Sequence, residues 1–352
     1  MNSFEYNKVV HLTHIDLDGF GCAAVTAKVF GCRVTHIQSN YEPELSYRIA
    51  EAIAVAKEEA KIGNKTLLLV TDLGLTEPQA AALDEVSKLA NLDVMVVDHH
   101  KLPWDTSVYP WYTLRIGYAA TDTLYALLSG AHIGTSLMCK FVHIVDNYDL
   151  FKDRSGEEFA LGKLLTEFIL EADTRFPREA VPGLYLNYTL GGIKALFEAF
   201  AAGKTVAEID DERNRIVKSV MGSVMGKDVA KMTLKDACDL LLAREVAKRP
   251  ICVDRDGNKY IATYALKGYS DVAAQVLAER TDVDYFVNLS TTGYLGFRSR
   301  TGGTDVQAIA ARFGGGGHAC AAGGKLNNFK PRISNTTSVL VPVSDLIAAL
   351  NN

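Results

Sequence analysis

Three short clusters in the first half of the chain could hold divalent cations. His14, Asp16 and Asp18 lie in THIDLDG, Asp72 stands alone in VTDL, and Asp98, His99 and His100 run together as DHH. Carboxylates gathered at one place repel one another and cannot all ionise cheaply unless cations neutralise them. The mixture of carboxylate oxygen and imidazole nitrogen, with no cysteine, suits Mn²⁺ or a similar borderline ion better than Ca²⁺. Roughly six ligands serve two ions, and two ions about 4 Å apart clamp the attacking and leaving oxygens of a phosphoryl displacement. Hydrolysis of a phosphate ester is the expected chemistry. Gly19 and Gly21 fit a tight strand-to-helix turn just after these acids, where backbone N–H groups can also meet an anion.

A second constellation lies near the other end. Arg298-Ser299-Arg300 closes a strand-like run and is followed by a short helix and Gly314-Gly315-Gly316-Gly317-His318. Glycines let the backbone approach an oxyanion closely and present successive N–H groups as a nest, and arginine offers a forked charge matched to phosphate. This pattern is expected to grip a phosphate facing the metal crevice.

The elements that must position these groups are legible as hydrophobic rhythm. VVHLTH, CRVTHIQ, LLLVTDL and VMVVDHH alternate with helix-like stretches, notably Leu45–Ala60 and Glu77–Ala90. That rhythm reads as βαβ units and hence a doubly wound parallel sheet. Ligands sit beyond the carboxyl ends of the strands in such a sheet, so the three clusters should converge. Further helices are expected over Ala119–Leu128 and Ser136–Leu150, and connecting helices over Val206–Ala247. After Pro250 the strand-like ICV, YIATYAL, DYFVNL and YLGFRSR alternate with a helix at Asp271–Arg280 and another from Asp305. The fold class is therefore α/β, a doubly wound parallel sheet domain plus a smaller C-terminal α/β domain with a mixed sheet and an active cleft between them. The expected bounds are 1–197 for the metal-binding domain, 198–247 for a helical linker and 248–352 for the substrate-binding domain.

Composition narrows the substrate. A net charge of −5 argues against a long duplex, which calls for a broad basic surface. A short anion held by metal ions fits. The opening MNSFEYNKVV lacks the features of a secretory signal, and no uncharged apolar run reaches the ~18 residues of a membrane span, so a cytoplasmic protein is expected. The six cysteines form no CxxC pair and read as reduced thiols.

The DHH triplet, the His14/Asp16/Asp18 run, the isolated Asp72 and the terminal GGGGH together resemble the DHH phosphoesterase family with its associated C-terminal domain. THIDLDGFGC is similar to the opening wording of that family's oligoribonuclease, or nano-RNA hydrolase, branch, and NYDLF to its helix ending in YD and an aromatic residue. The resemblance implies two Mn²⁺ ions, with Mg²⁺ or Co²⁺ as substitutes. His14, Asp16 and Asp72 would hold one, and Asp18, Asp72, His99 and an acid of the later helix the other. Asp149 matches the family wording better, with Asp146 three residues away on nearly the same helix face. His100 would contact the scissile phosphate or assist proton transfer, Asp98 would orient a histidine, and a water activated by the ions would be the nucleophile. Arg298, Gly315, Gly316, Gly317 and His318 would bind the substrate's terminal phosphate. The family also implies a homodimer. Asp122 departs from the pattern, which has a small hydroxyl residue there.

Each feature also has a plainer reading. A lone acid at a strand end is more often a solvated cap, and a glycine run more often a linker. The coincidence of three strand ends favours the metal site, and the position of the glycines inside a domain favours binding. His11, His36, His132 and His143 read as satisfied or surface histidines, and Arg300 as a neighbour of Arg298. Asn40 and Tyr41 could stack on a base or ribose. The expected function is a Mn²⁺-dependent phosphodiesterase converting short oligoribonucleotides or linear dinucleotides to mononucleotides. The rivals are an adenosine 3′,5′-bisphosphate phosphatase, a cyclic-dinucleotide phosphodiesterase, and a sensor module that binds nucleotide without turnover.

Overall fold

Strand and helix alternate from the start of the chain in the computed structural model, which describes residues 5–128, 136–225, 229–327, 329 and 341–351. His132 lies outside them. The chain forms two compact units, residues 1–169 with 197–210, and residues 170–196 with 211–352.

In the first unit the order is β1 (Lys8–His14), α1 (Leu17–Phe30), β2 (Val34–Ser39), α2 (Glu44–Lys61), β3 (Thr66–Thr71), α3 (Glu77–Ser87), β4 (Leu92–Asp98), β5 (Tyr112–Leu114), α4 (Ala120–Leu128) and α5 (Ser136–Asp149). The five strands are all parallel, in the order β2-β1-β3-β4-β5. Side chains of a strand alternate between faces, and the core follows that period of two. Val10, Leu12, Leu68 and Val70 pack on one face against Leu45, Ile49 and Ala52 of α2 and Leu83 of α3. Val9, Leu67, Leu69 and Val97 pack on the other against Cys22 and Val25 of α1, Leu124 of α4 and Val142 of α5. Each fully buried Val or Leu contributes about 1.5–3 kcal/mol relative to exposure. A sheet covered on both faces has continuous apolar strands, which is why β3 is TLLLVT with every residue buried.

The strand order reverses direction between β1 and β3, because the chain crosses to β2 on one side and returns to β3 on the other. That reversal leaves a crevice at the carboxyl ends of the two strands. The register places Thr13 opposite Thr71 and Thr71 opposite Val97. The residues that follow, His14, Asp72 and Asp98, therefore stand level on three adjacent strands. The short β5, beside β4, is a strand that the hydrophobic pattern does not announce.

Helices α6 (Glu157–Arg175), α7 (Pro182–Ala201) and α8 (Val206–Met225) run through the bounds of both units, and α9 (Leu234–Ala247) belongs to the second. The second unit continues with β6 (Cys252–Val253), β7 (Lys259–Tyr264), α10 (Tyr269–Glu279), β8 (Tyr285–Leu289), β9 (Tyr294–Ser299), α11 (Val306–Ala311), β10 (Gly316–His318), β11 (Ala321–Lys325) and α12 (Val341–Asn351). Its sheet runs β10-β11-β9-β8-β7-β6 and is mixed, parallel only between β7 and β8. Tyr260, Tyr285, Val287 and Phe297 form its core with Val306 and Ile309 of α11 and Leu346 and Leu350 of α12.

Candidate metal centre

The loop from β1 into α1 carries three of the expected ligands. Asp16 is the N-cap of α1, its Oδ1 accepting from Gly19 N at 2.9 Å, so its plain capping role is real. Its other oxygen lies 3.0 Å from His14 Nδ1. Gly19 is required by close approach, since a Cβ there would stand 2.1 Å from the His14 carbonyl oxygen. Asp18, in the first turn of α1, is buried against the start of α4. Ala120 N and Thr121 N donate to its carboxylate at 2.7 and 2.8 Å, and the Thr121 hydroxyl donates to its backbone carbonyl at 2.7 Å. A helix N-terminus thus steadies this charge with two amides and its dipole.

Asp72 follows β3 with φ of 56°. This left-handed conformation costs most side chains about 1–2 kcal/mol, although Asp tolerates it better than most. The turn aims the carboxylate at both histidines: Oδ2 is 3.6 Å from His14 Nδ1 and Oδ1 is 3.3 Å from His99 Nε2. His99 Nε2 also lies 3.7 Å from Asp18 Oδ2 and 3.6 Å from Asp149 Oδ2. Two sets of potential ligands, His14/Asp16/Asp72 and Asp18/His99/Asp149, therefore stand side by side, with Asp72 between them. Asp72 also forms a third set with His99 and His100. These Asp and His groups could hold metal.

The helix acids separate cleanly. Asp146 Oδ1 accepts from Ala119 N at 2.9 Å, in the loop before α4, and its Oδ2 accepts from Lys152 Nζ, just past α5, so both oxygens are taken. Asp149 instead reaches His99. Asp98 is fully buried, with Oδ1 2.7 Å from His100 Nδ1 and Oδ2 accepting from the Tyr112 hydroxyl at 3.2 Å. The histidine it orients is thus His100, in the loop just past β4. On the far side, His100 Nε2 meets the Tyr41 hydroxyl at 3.0 Å, and the Tyr41 ring packs 4.6 Å from that of His14. Tyr41, considered from sequence as a base-stacking residue, is engaged with the two histidines.

Electrostatics follow from burial. Desolvation, with Asp16 and Asp18 nearby, pushes the Asp72 carboxyl well above the usual range. Desolvation and Asp16 also raise Asp18, and desolvation with Asp18 and Asp16 lifts Asp149 to about 7. Burial would lift Asp16 too, but His14 beside it outweighs this and holds it at about 2. The hydrogen bond to Asp98 raises His100 against the effect of its burial. Three buried atoms in this cluster, His14 Nδ1, Asp72 Oδ2 and Asp149 Oδ2, have no hydrogen bond of good geometry. Orphaned buried acceptors are rare, and a shared cation is a common cause.

The other histidines are accounted for among the described residues. His11 is buried between His36 Nδ1, at 3.1 Å, and the Thr71 hydroxyl, at 2.8 Å. His143 lies 3.3 Å from Glu158. Asp122, the departure from the family wording, pairs with Arg115, and the hydroxyl that serves Asp18 comes from Thr121 one position earlier. The roles of Thr121 and Tyr112 carry no signal in the sequence, because both depend on which segments meet at the sheet edge.

In the second unit, Arg298 at the end of β9 donates to the Phe297 carbonyl and the Ser270 hydroxyl and lies over the Tyr269 ring. Arg300 donates to the carbonyls of Val283, Leu277 and Arg280, a structural clamp rather than a solvated neighbour. The glycine run differs from the expected nest. Gly316–His318 is an extended edge strand paired with β11. Gly315 and Gly317 are needed for that pairing, as a Cβ would fall 1.8 Å from Gly323 O and 2.6 Å from Ala321 O respectively. Gly316 faces open space, and His318 is exposed.

Residues 8–158, which include every member of this cluster, match the DHH family, N-terminal domain. The chain carries a DHH-family domain. Over 338 residues, 92% of this chain and 94% of the relative, it is 27% identical to a 3′,5′-cyclic-nucleotide phosphodiesterase of Helicobacter pylori. Over 324 residues, 88% of this chain and 71% of the relative, it is 24% identical to the oligoribonuclease NrnB of Bacillus subtilis. A crystal structure of an uncharacterized Helicobacter pylori protein shares the fold, with a TM-score of 0.82, 24% identity, and coverage of 98% of this chain and 99% of that one. With its DHH domain and these relatives, the chain is a phosphoesterase. Among the described residues no helix is long and apolar enough to cross a membrane.

Proposed function

We propose that this phosphoesterase is a Mn²⁺-dependent phosphodiesterase that converts oligoribonucleotides of a few residues, or linear dinucleotides, to mononucleotides. The observation that carries the reading is the gathering of Asp16, Asp18, Asp72 and Asp149 about His14 and His99, where His14 Nδ1, Asp72 Oδ2 and Asp149 Oδ2 are buried without a hydrogen bond of good geometry. A buried polar atom without a partner costs about 1–3 kcal/mol, more when charged, and a cation turns that cost into a gain. The donor set fits a borderline divalent ion.

In this reading His14, Asp16 and Asp72 hold one ion, and Asp18, Asp72, His99 and Asp149 the other. When bound, the ions supply Lewis acidity and an activated water for attack on phosphorus. Asp98 keeps the proton of His100 on Nδ1 and raises its pKa, so His100 holds a second proton on Nε2 over a wider pH range. An Nε2–H is the group suited to a phosphate oxygen. Tyr112 fixes the Asp98 carboxylate, and the amides of α4 fix Asp18, so neither acid needs to reorganise as charge develops. Arg298, Gly315, Gly316, Gly317 and His318 are assigned to the terminal phosphate, which accounts for a preference for short chains. The same reading sets the protein in the cytoplasm, where its six free cysteines stay reduced.

The test is Mn²⁺-dependent hydrolysis of adenylates of rising length, from adenosine 3′,5′-bisphosphate through pApA to a ten-mer, with Asp72→Ala as control. A maximum at two to four nucleotides that vanishes in the variant supports the proposal. Activity on the bisphosphate alone would make the protein a phosphatase, and binding without turnover would make it a sensor. The name of the Helicobacter pylori relative favours one second reading, a cyclic-nucleotide phosphodiesterase, so 3′,5′-cyclic AMP belongs in the panel.

A further inference from the structure

Two aromatic side chains stand exposed on the segments that hold the acidic cluster. Tyr118, 41% exposed, immediately precedes the amides of Ala119, Ala120 and Thr121 that bind Asp146 and Asp18. Phe151, 60% exposed, comes two residues after Asp149 at the end of α5. Cations lie beside both. The Arg115 guanidinium lies 3.4 Å from the Tyr118 ring centroid and Lys152 Nζ 5.2 Å from it, while the Arg154 guanidinium is 5.6 Å from that of Phe151. Lys152, whose Nζ lies by the Tyr118 ring, is the chain neighbour of Phe151.

Phe151 is costly where it stands. Its N–H donates to the Tyr148 carbonyl and the next N–H to that of Asn147, closing the helix through a residue with φ of 53°. Glycine or asparagine is the usual occupant of such a left-handed helix end. A phenylalanine there accepts backbone strain and leaves most of its ring in water, even though one side rests on Tyr148 and Phe159. A planar aromatic ligand that carries negative charge would gain from both the rings and the cations.

We propose that Tyr118 and Phe151 are the platform on which a nucleobase of the substrate stacks, with Arg115, Lys152 and Arg154 beside it for the adjoining phosphate. The platform rests on the phosphodiesterase reading above and names the part of the substrate that reading leaves open. Base–aromatic stacking tolerates any base, so the platform selects for nucleotide over simple phosphate ester without a sequence preference.

Calorimetric titration of the full chain with AMP, and with ribose 5-phosphate as the base-free comparison, both in Mn²⁺, tests it. Phe151→Ala and Tyr118→Ala each weaken AMP relative to ribose 5-phosphate by about tenfold, the loss expected of one stack, and Phe151→Trp restores the ratio. A direct titration with Mn²⁺ alone separates base binding from damage to the helix that carries Asp149. No AMP binding by the native protein, an unchanged ratio in both alanine variants, or a loss that merely follows lost Mn²⁺ affinity would each overturn the platform. The phosphodiesterase reading stands or falls separately, on turnover of adenylates by the native protein.

Discussion

At the scale of single residues, the site sets stability against function. Asp72 is buried and held close to other acids, so its charge destabilises the metal-free fold while serving any bound cation. Asp72→Asn, nearly isosteric and neutral, should raise the melting temperature of chelator-treated protein and lower kcat by about 10²-fold or more. A variant less stable than the native protein without metal would show that Asp72 has a structural role instead. Asp149 makes a pH prediction whose sign can be worked out. Its carboxyl, raised to about 7, stays protonated in the metal-free fold where an unfolded chain, with carboxyls near about 4, is already ionised. The folded state binds more protons there, so metal-free stability falls as pH rises from about 4 to about 7 and levels off above. Metal binding needs the ionised carboxylate, so Mn²⁺ affinity weakens as pH drops below about 7 and uptake releases protons. Calorimetry in two buffers of different ionisation enthalpy measures that release, and an affinity flat across the window would contradict it.

Elements matter through how closely they approach. A Cβ on Gly21 of α1 would lie 2.3 Å from the Thr121 hydroxyl of α4, the group that binds the Asp18 carbonyl. Gly21→Ala should therefore push the start of α4 away from Asp18 and cost about 1–3 kcal/mol of stability, the range for overpacking. Metal affinity should fall with it. Thr121→Val removes one hydroxyl and keeps both amides on Asp18, so its cost should be nearer 1 kcal/mol, about the worth of one hydrogen bond, with metal affinity largely kept. Denaturant melts paired with Mn²⁺ titrations distinguish the two, and equal effects would show that helix spacing is not what sets the site.

For the molecule as a whole, net charge is the governing quantity. A chain of net charge −5 has few phosphates it can neutralise with side chains, and metal ions would supply much of the attraction to an anion. Because pApA offers only two phosphates to neutralise, its apparent affinity should fall by less than about tenfold between 50 and 200 mM salt. A loss of about 10³-fold would instead indicate an extended basic track. Arg298→Ala should raise KM for pApA more than it lowers kcat, because the proposed grip on the terminal phosphate would be made before and during reaction alike.

The sequence by itself determined the parallel sheet and the clusters at its strand ends. Both are written in local pattern: apolar runs such as LLLV bury on two faces, and the polar residue that ends each run must lie at the sheet edge. That His14, Asp72 and Asp98 gather at one edge of the sheet was legible for that reason. The mixed C-terminal sheet was legible in the same way, from short runs joined by turns. Only the tertiary structure gives Asp146 and Asp149 different surroundings: two acids a helical turn apart are alike in pattern, but one meets Ala119 N and Lys152 while the other meets His99. The bonds of Thr121 to Asp18 and of Tyr112 to Asp98 join residues far apart in the chain, as does the contact of Tyr41 with His100. The edge strand made by the glycines is equally a matter of approach, because Gly315 and Gly317 are demanded by backbone atoms of β11 that no local pattern reveals. Periodicity reports which face of an element is buried; which partner it meets there is settled when distant segments pack together.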